Sequence, residues 1–287
     1  MIGRMHDSPA SASASTNRPP GVGDLLRDWR SRRRRSQMDL ALDVGVSTRH
    51  LSCIETGRAR PSPAMVEALA GALDVPLRER NRLLLAAGYA PRYAARSLDD
   101  AGMHQVRSAL DRLLRAHAPN PGLVLDRQWN VVLANRPAQA LTALLPPELT
   151  QPVLNVFRAS LHPQGLAALT GNFGDWASYL LATLQRAVAT SADPGLAALQ
   201  QEVLAYPNVA ALAAASPADA SVNAADAPLL VPCVLNLPQG QLAMFTTLTT
   251  FGTPRDITLD ELSIELFYPA DEGSEALLRG MLDAGAG

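Results

Sequence analysis

Apolar residues recur at helical spacing through the first third of the chain. Val22, Leu25, Leu26 and Trp29 mark one amphipathic helix, Leu40 and Ala41 the inner edge of a second, and Leu51 and Ile54 that of a third. Met65, Val66, Leu69, Ala70 and Leu73 give a fourth, and Leu77, Leu83, Leu84 and Ala87 a fifth. The residues between them agree with that division. Ser36 and Ser47 stand where helix caps belong, Gly45 gives the turn between the second and third helices its backbone freedom, and Gly57 ends the third. Pro63 suits a first helical turn, and Gly88 to Pro91 closes the run. The pattern predicts an all-α five-helix domain over residues 21–92.

A polar linker over 93–102 follows, and then a helix through Val106, Leu110, Leu113 and Leu114. Two short apolar runs, 123–125 and 129–134, flank the turn residues Asp126 to Gln128 and read as a hairpin. A helical stretch over 135–145 comes next, and Phe173, Trp176, Ala177, Leu180, Leu181, Leu184 and Val188 form the cleanest helical period in the chain. Residues 202–228 are rich in Ala, Pro, Ser and Asp, which suggests an irregular insertion. The runs 229–237, 241–251 and 262–268 have strand composition, and 274–282 reads as a last helix. Two strands, several helices, then three antiparallel strands is the order of an α+β PAS-like domain, with a pocket between sheet and helices, here spanning 103–287.

Charge separates the two regions. From Met1 to Arg96 there are 16 Arg against 9 acids, whereas the remaining 9 Arg face 18 acids, so a net charge of −2 hides a basic amino-terminal third. Such asymmetry is expected when one domain alone meets a polyanion. The Ser/Ala/Pro-rich residues 1–20 lack the apolar core of a secretory signal and are expected to be a disordered tail. Two cysteines without metal-ligand spacing, Cys53 and Cys233, give neither a disulfide framework nor a zinc site. The least charged long stretch, 229–254, is broken by Pro232, Pro238 and Gly240, which is wrong for a membrane span. A soluble, cytoplasmic protein is expected.

Within the five helices, Ser36 to Pro63 has the spacing of a helix-turn-helix: Val46 plugs the turn, and Arg49, Ser52, Cys53 and Thr56 lie opposite the buried edge of the second helix. The string V-S-T-R-H-L-S-x-I-E-T-G-R-x-R-P-S closely resembles the DNA-binding domain of XRE-type regulators. That resemblance implies that Gln37 holds a phosphate at a helix start and that Arg30 pairs with Glu55 inside the domain. The expected DNA-facing set is Gln37, Ser47, Thr48, Arg49, Ser52 and Cys53, with Arg58 and Arg60 on a loop beside a phosphate. At least one of Arg32 to Arg35 is expected to reach a phosphate too.

A second resemblance lies in NVFRASLHPQGL, residues 155–166, and FGTPRDITLDELSIELFYPAD, residues 251–271. Both are similar to the carboxy-terminal domain of MmyB-like transcription regulators, which implies a PAS-like fold, a small hydrophobic ligand of the fatty-acid kind, and dimerisation through that domain. Trp129, Phe157, Trp176, Tyr179, Phe245 and Phe267 fall on segments that would surround the interior, as ligand contacts or as plain core. Asn155, Arg158 and His162 share one short segment at helical spacing and would either converge on a ligand carboxylate, with Arg158 as its anchor, or form a polar network.

The five histidines form no metal pair or nucleophile arrangement, and no glycine-rich phosphate loop is present, so no catalytic residue, metal or cofactor is expected. A PAS-like domain holding haem or flavin would have only His162 as a plausible axial ligand. The sequence reads as a homodimeric regulator that binds a double-stranded DNA operator and senses a small hydrophobic ligand. The competing reading is a DNA-binding protein whose second domain only dimerises or docks a protein partner.

Overall fold

The computed structural model describes residues 19–191, 193–215 and 230–284, so most of the expected tail over 1–20 lies outside the described residues. Contacts divide the chain into two compact units, one of residues up to 75 with 79–91 and the other of 76–78 with the residues from 92 on, so all but the first two residues of the helix Leu77–Ala86 belong to the first. The first unit holds α1 (Val22–Arg32), α2 (Gln37–Asp43), α3 (Thr48–Glu55), α4 (Pro63–Ala72) and α5 (Leu77–Ala86).

Local chemistry sets these helix ends. Ser36 Oγ accepts the Asp39 N–H at 3.1 Å, and the Asp39 carboxylate reaches back to the Ser36 N–H, a reciprocal cap. Ser47 and Ser62 cap α3 and α4 in the same way, accepting from His50 and Met65. Gly45 has φ +69° in the turn between α2 and α3, a conformation that strains any side-chain-bearing residue. The core joins Leu26 and Trp29 of α1 to Leu40, Leu51, Ile54, Leu69 and Leu83. At Gly23 the backbones of α1 and α3 come so close that a Cβ would lie 2.4 Å from the Ile54 carbonyl oxygen.

The second unit begins with α6 (His104–Ala116), β1 (Gly122–Leu125) and β2 (Val131–Ala134). Then come α7 (Arg136–Thr142), α8 (Pro147–Thr150), α9 (Val156–Leu161), α10 (Phe173–Ser191), α11 (Pro194–Leu204) and α12 (Pro207–Ala215). It ends with β3 (Cys233–Leu237), β4 (Gly240–Thr250), α13 (Ile257–Glu261), β5 (Ser263–Pro269) and α14 (Glu272–Ala284). The strands form one antiparallel sheet in the order β2-β1-β5-β4-β3, the PAS-like α+β arrangement that the element order predicts.

Both faces of the sheet are covered. Val124 and Ile264 point to Leu110 and Leu114 of α6, while Leu235, Leu242 and Met244 point to the helical side, where α9, α10 and α11 contribute Phe157, Leu161, Trp176, Leu184 and Leu199. In register, Leu123 of β1 lies opposite Glu265 of β5, so both side chains share a face with Leu125 and Phe267.

The expected irregular insertion at 202–228 is corrected in its first half. Helices α11 and α12 occupy 194–215, each opened by a proline and rich in alanine, the strongest helix former, with Val203 and Val209 buried. Composition suggested loop because Pro and Ser punctuate the segment, but the prolines stand at first turns. Residues 216–229 lie outside the described residues.

Candidate functional site

The first unit presents one face of α3. Thr48, Arg49 and His50 are exposed, Ser52 and Cys53 are half-buried, and Leu51, Ile54 and Glu55 are turned inward. Ser47 is exposed too, with its hydroxyl oxygen engaged as the α3 cap. Arg58 is exposed on the loop after Gly57, and its backbone N–H closes α3 on the Cys53 carbonyl at 2.8 Å. Ser47 thus stands at the start of α3, Thr48, Arg49, Ser52 and Cys53 lie along it with side chains at least partly exposed, and Arg58 follows its end.

Two residues expected beside them, the half-buried Gln37 and the exposed Arg60, have partners within the unit. The Gln37 amide donates to Glu55 Oε2 at 2.7 Å, because an ionised carboxylate deep in the unit needs more donors than one arginine supplies. Arg60 donates from Nε to the Ala87 carbonyl at 2.8 Å and from Nη2 to that of Gly88 at 3.1 Å, with its guanidinium over the Tyr89 ring. Those carbonyls follow the end of α5 and have no helical partner, so the cation closes the helix.

The pair Arg30–Glu55 forms as the resemblance implies, with Nε to Oε1 at 2.7 Å and Nη2 to Oε2 at 3.1 Å. Burial alone would raise the Glu55 pKa, but the hydrogen bonds from Arg30 and Gln37, with the charges of Arg30 and Arg27, hold it below its ordinary value. Of the basic run, Arg32 pairs with Asp28, Arg35 with Asp43, and Arg33 donates to the Leu73 and Asp74 carbonyls. Arg34 is exposed.

The second unit holds a cavity of about 70 Å³ between the helical side of the sheet and the helices α7, α9 and α10. Leu123, Val131, Leu235, Met244 and Phe267 form its sheet side. Ala138 and Leu141 of α7, Val156, Ala159 and Ser160 of α9, and Trp176 of α10 form the rest. Of the nine expected ligand contacts, Trp176 and Phe267 line it. The Trp129 and Phe157 rings pack on each other 4.9 Å apart, Tyr179 stacks on Trp176, and Phe245 stacks on Tyr268, one residue out of phase with the cavity face of β4.

The expected polar triplet does not reach this cavity. Asn155 caps α9 through the Phe157 and Arg158 N–H groups, and its amide donates to the Gln128 carbonyl and to Asn130 Oδ1. Arg158 is bidentate to Glu202 at 2.8 and 2.7 Å, Tyr206 donates to the same carboxylate, and His162 meets the Tyr206 ring edge-on. The Arg158 hydrogen bonds hold the Glu202 carboxyl below its usual pKa range. Arg158 therefore does not anchor a head group in this cavity; with His162 it lines a separate, more open cleft beside Glu202 and Tyr206. Residues 156, 159 and 160 of α9 face the cavity, so Arg158 lies on another side of the helix.

A residue that the sequence reading passed over does reach it. Glu265 of β5 is 5% exposed and lines the cavity. Its Oε1 accepts the Thr246 hydroxyl at 2.9 Å, and its Oε2 has no hydrogen-bond partner. Burial pushes its pKa up to about 7 against the pull of Thr246, and that of the neighbouring Cys233 thiol up to about 12. The signal was present as a lone acid inside the apolar strand Ser-Ile-Glu-Leu-Phe-Tyr-Pro, in phase with Phe267.

Among the described residues no cluster of three or more His, Cys, Asp or Glu side chains is placed to hold a metal, and no helix is long and apolar enough to cross a membrane. Comparison with curated proteins gives no match. Residues 22–83 match the family model of a helix-turn-helix domain. Residues 106–281 match that of the MmyB-like transcription regulator ligand binding domain. With a helix-turn-helix unit followed by that α+β domain over more than half its length, the chain belongs to the MmyB-like transcription regulators.

Proposed function

We propose that this DNA-binding transcription regulator is a cytoplasmic homodimer, not an enzyme, that reads an operator through α3 and answers to a small apolar molecule in the cavity of its second unit. Residues 21–92 serve as the DNA-binding domain, 93–102 as a linker, and 103–287 as the ligand-binding and dimerisation domain. The observation that carries this reading is the cavity, whose walls are almost wholly apolar and which belongs to the same chain as the α3 face. A ligand acts on DNA binding only through unequal affinity for two arrangements of the dimer.

At about 70 Å³ the cavity is smaller than an apolar void of ~150 Å³ that admits benzene, so a fatty acid, the ligand class the family resemblance favours, enters only as the walls open. The second reading, a domain that only docks a protein, has no specific surface to favour it.

DNA binding by the full chain should weaken steeply with salt, through release of condensed counterions. Arg58→Ala should lower affinity about equally on every sequence and reduce the salt slope by about one. Arg49→Ala should in addition relax preference at one base pair by about 1–3 kcal/mol. Titration of a randomised duplex set at several salt concentrations reads all three. If Arg49→Ala merely rescaled every affinity, the recognition face would be misassigned.

Light scattering of the protein–DNA complex should give two chains on an inverted repeat whose half-sites lie about 34 Å apart. A single chain at saturation would refute the dimer. Mass spectrometry of an organic extract, followed by DNA titration with the extracted molecule added back, tests the sensing step. Unchanged operator affinity would reduce the second domain to a carrier.

A further inference from the structure

The cavity contains one strong polar group and nothing that neutralises it. Glu265 sits on the central strand β5, between β1 and β4, with its side chain on the face that carries Leu123, Met244 and Phe267. Thr246 satisfies Oε1, while Oε2 is buried without a partner, a costly arrangement for a carboxyl. No arginine or histidine is among the lining residues. Arg158, which shares α9 with the lining residues Val156, Ala159 and Ser160, is held by Glu202 outside the cavity.

We infer that the cavity selects a small apolar molecule whose polar end donates a hydrogen bond, an amine or an alcohol, and that Glu265 Oε2 is the acceptor. This rests on the reading of the cavity as the ligand site and departs from the fatty-acid class that the family resemblance favours. An ammonium entering beside the carboxylate brings the cavity toward neutrality, and an alcohol leaves its charge unchanged. A ligand carboxylate adds negative charge to an apolar space with no cation, or must first take up a proton, which near pH 8 costs on the order of a thousandfold in affinity. The raised pKa of Glu265 fits the same picture, since the empty cavity penalises its charge and a donor would relieve that penalty. Ser160 and Thr142 also line the cavity, but their hydroxyls carry no charge with which to hold an anion.

The test titrates the delipidated full chain with hexylamine, hexanol and hexanoate, matched in length, at about pH 8 by calorimetry, for wild type and Glu265→Gln. The wild type should bind the amine and the alcohol at least about tenfold more tightly than the acid. Glu265→Gln should lose about tenfold or more toward the amine while keeping the alcohol, because the amide oxygen still accepts. Hexanoate binding as tightly as the other two, or a Gln variant with unchanged affinities, overturns the inference while leaving the cavity as a ligand site. No binding of any of the three to folded wild type overturns the ligand-site reading and this inference with it. Should the Gln variant fail to fold, the wild-type ranking decides alone.

Discussion

Glu55→Ala is expected to destabilise the helical unit by about 3–5 kcal/mol, the cost of breaking a buried ion pair and leaving its partner uncompensated. Glu55 is 2% exposed and gathers Arg30, Gln37 and, at 3.8 Å, Arg27. Truncation leaves the Arg30 guanidinium, whose side chain is only 15% exposed, with the Arg35 carbonyl as its remaining acceptor. Glu55→Gln keeps the shape and an acceptor oxygen, so about 1–3 kcal/mol is expected. Urea unfolding read by hydrogen exchange of α1 and α3 amides measures both, and a loss below about 1 kcal/mol for the alanine variant would show that the pair is dispensable. The pH dependence has a definite sign. The folded pKa of Glu55 lies below its ordinary value of 4.5, so its contribution is complete above that value and is lost as pH falls through the lower folded one. In Glu55→Ala this share of the acid sensitivity should vanish.

Trp176→Ala and Phe157→Ala should each cost about 3–5 kcal/mol, and only the first should change what the cavity accepts. Both side chains are buried, at 4% and 0% exposure, and both belong to the core between the sheet and α9 to α11. Trp176 forms cavity wall, however, while Phe157 lies against Trp129. Removal of the indole should enlarge the space and shift preference toward longer apolar ligands. Removal of the phenyl ring should leave the length preference of the remaining folded protein where it was. Denaturant unfolding together with titration of an alcohol series separates the two effects. An equal shift in length preference for both variants would mean that the lining is wrongly drawn.

The five helices of the first unit were legible because each has an apolar edge at helical spacing and a serine, glycine or proline at its boundary. The β strands were legible in kind and in their succession along the chain, whereas their order in the sheet rests on pairings between segments far apart in sequence, which no local pattern gives. What spacing along one segment cannot give is rotation. Asn155, Arg158 and His162 share helical spacing, but so do Val156, Ala159 and Ser160, and only packing against the sheet decides which set turns inward. Strand β5 posed the same difficulty in period two: with both faces of the sheet covered, Ile264 and Glu265 are both buried, so alternation alone gave the acid no special standing. The partners of Gln37 and Arg60 were hidden for a related reason, since a residue rich in donors goes wherever an unmet acceptor lies within reach, and those acceptors, Glu55 and the end of α5, are distant in sequence.

Asn135 holds one corner of the second unit unusually firmly. Its Oδ1 accepts the N–H groups of Gly122 and Ala138, and its Nδ2 donates to the carbonyls of Leu114 and Asn120, so one buried amide ties the end of α6, the start of β1 and the first turn of α7 together. Helix α7 therefore has a fixed pivot at its amino end, while at the other end Leu141 is buried in the core and lines the cavity together with Thr142. Over its 7 residues, about 10 Å of helix, a tilt of about 10° displaces that far end by about 2 Å while the pivot stays in place. A ligand that widened the cavity would therefore show as a tilt of α7 about Asn135, and because α14 packs against both α7 and β4 such a tilt would bear on the last helix of the domain too.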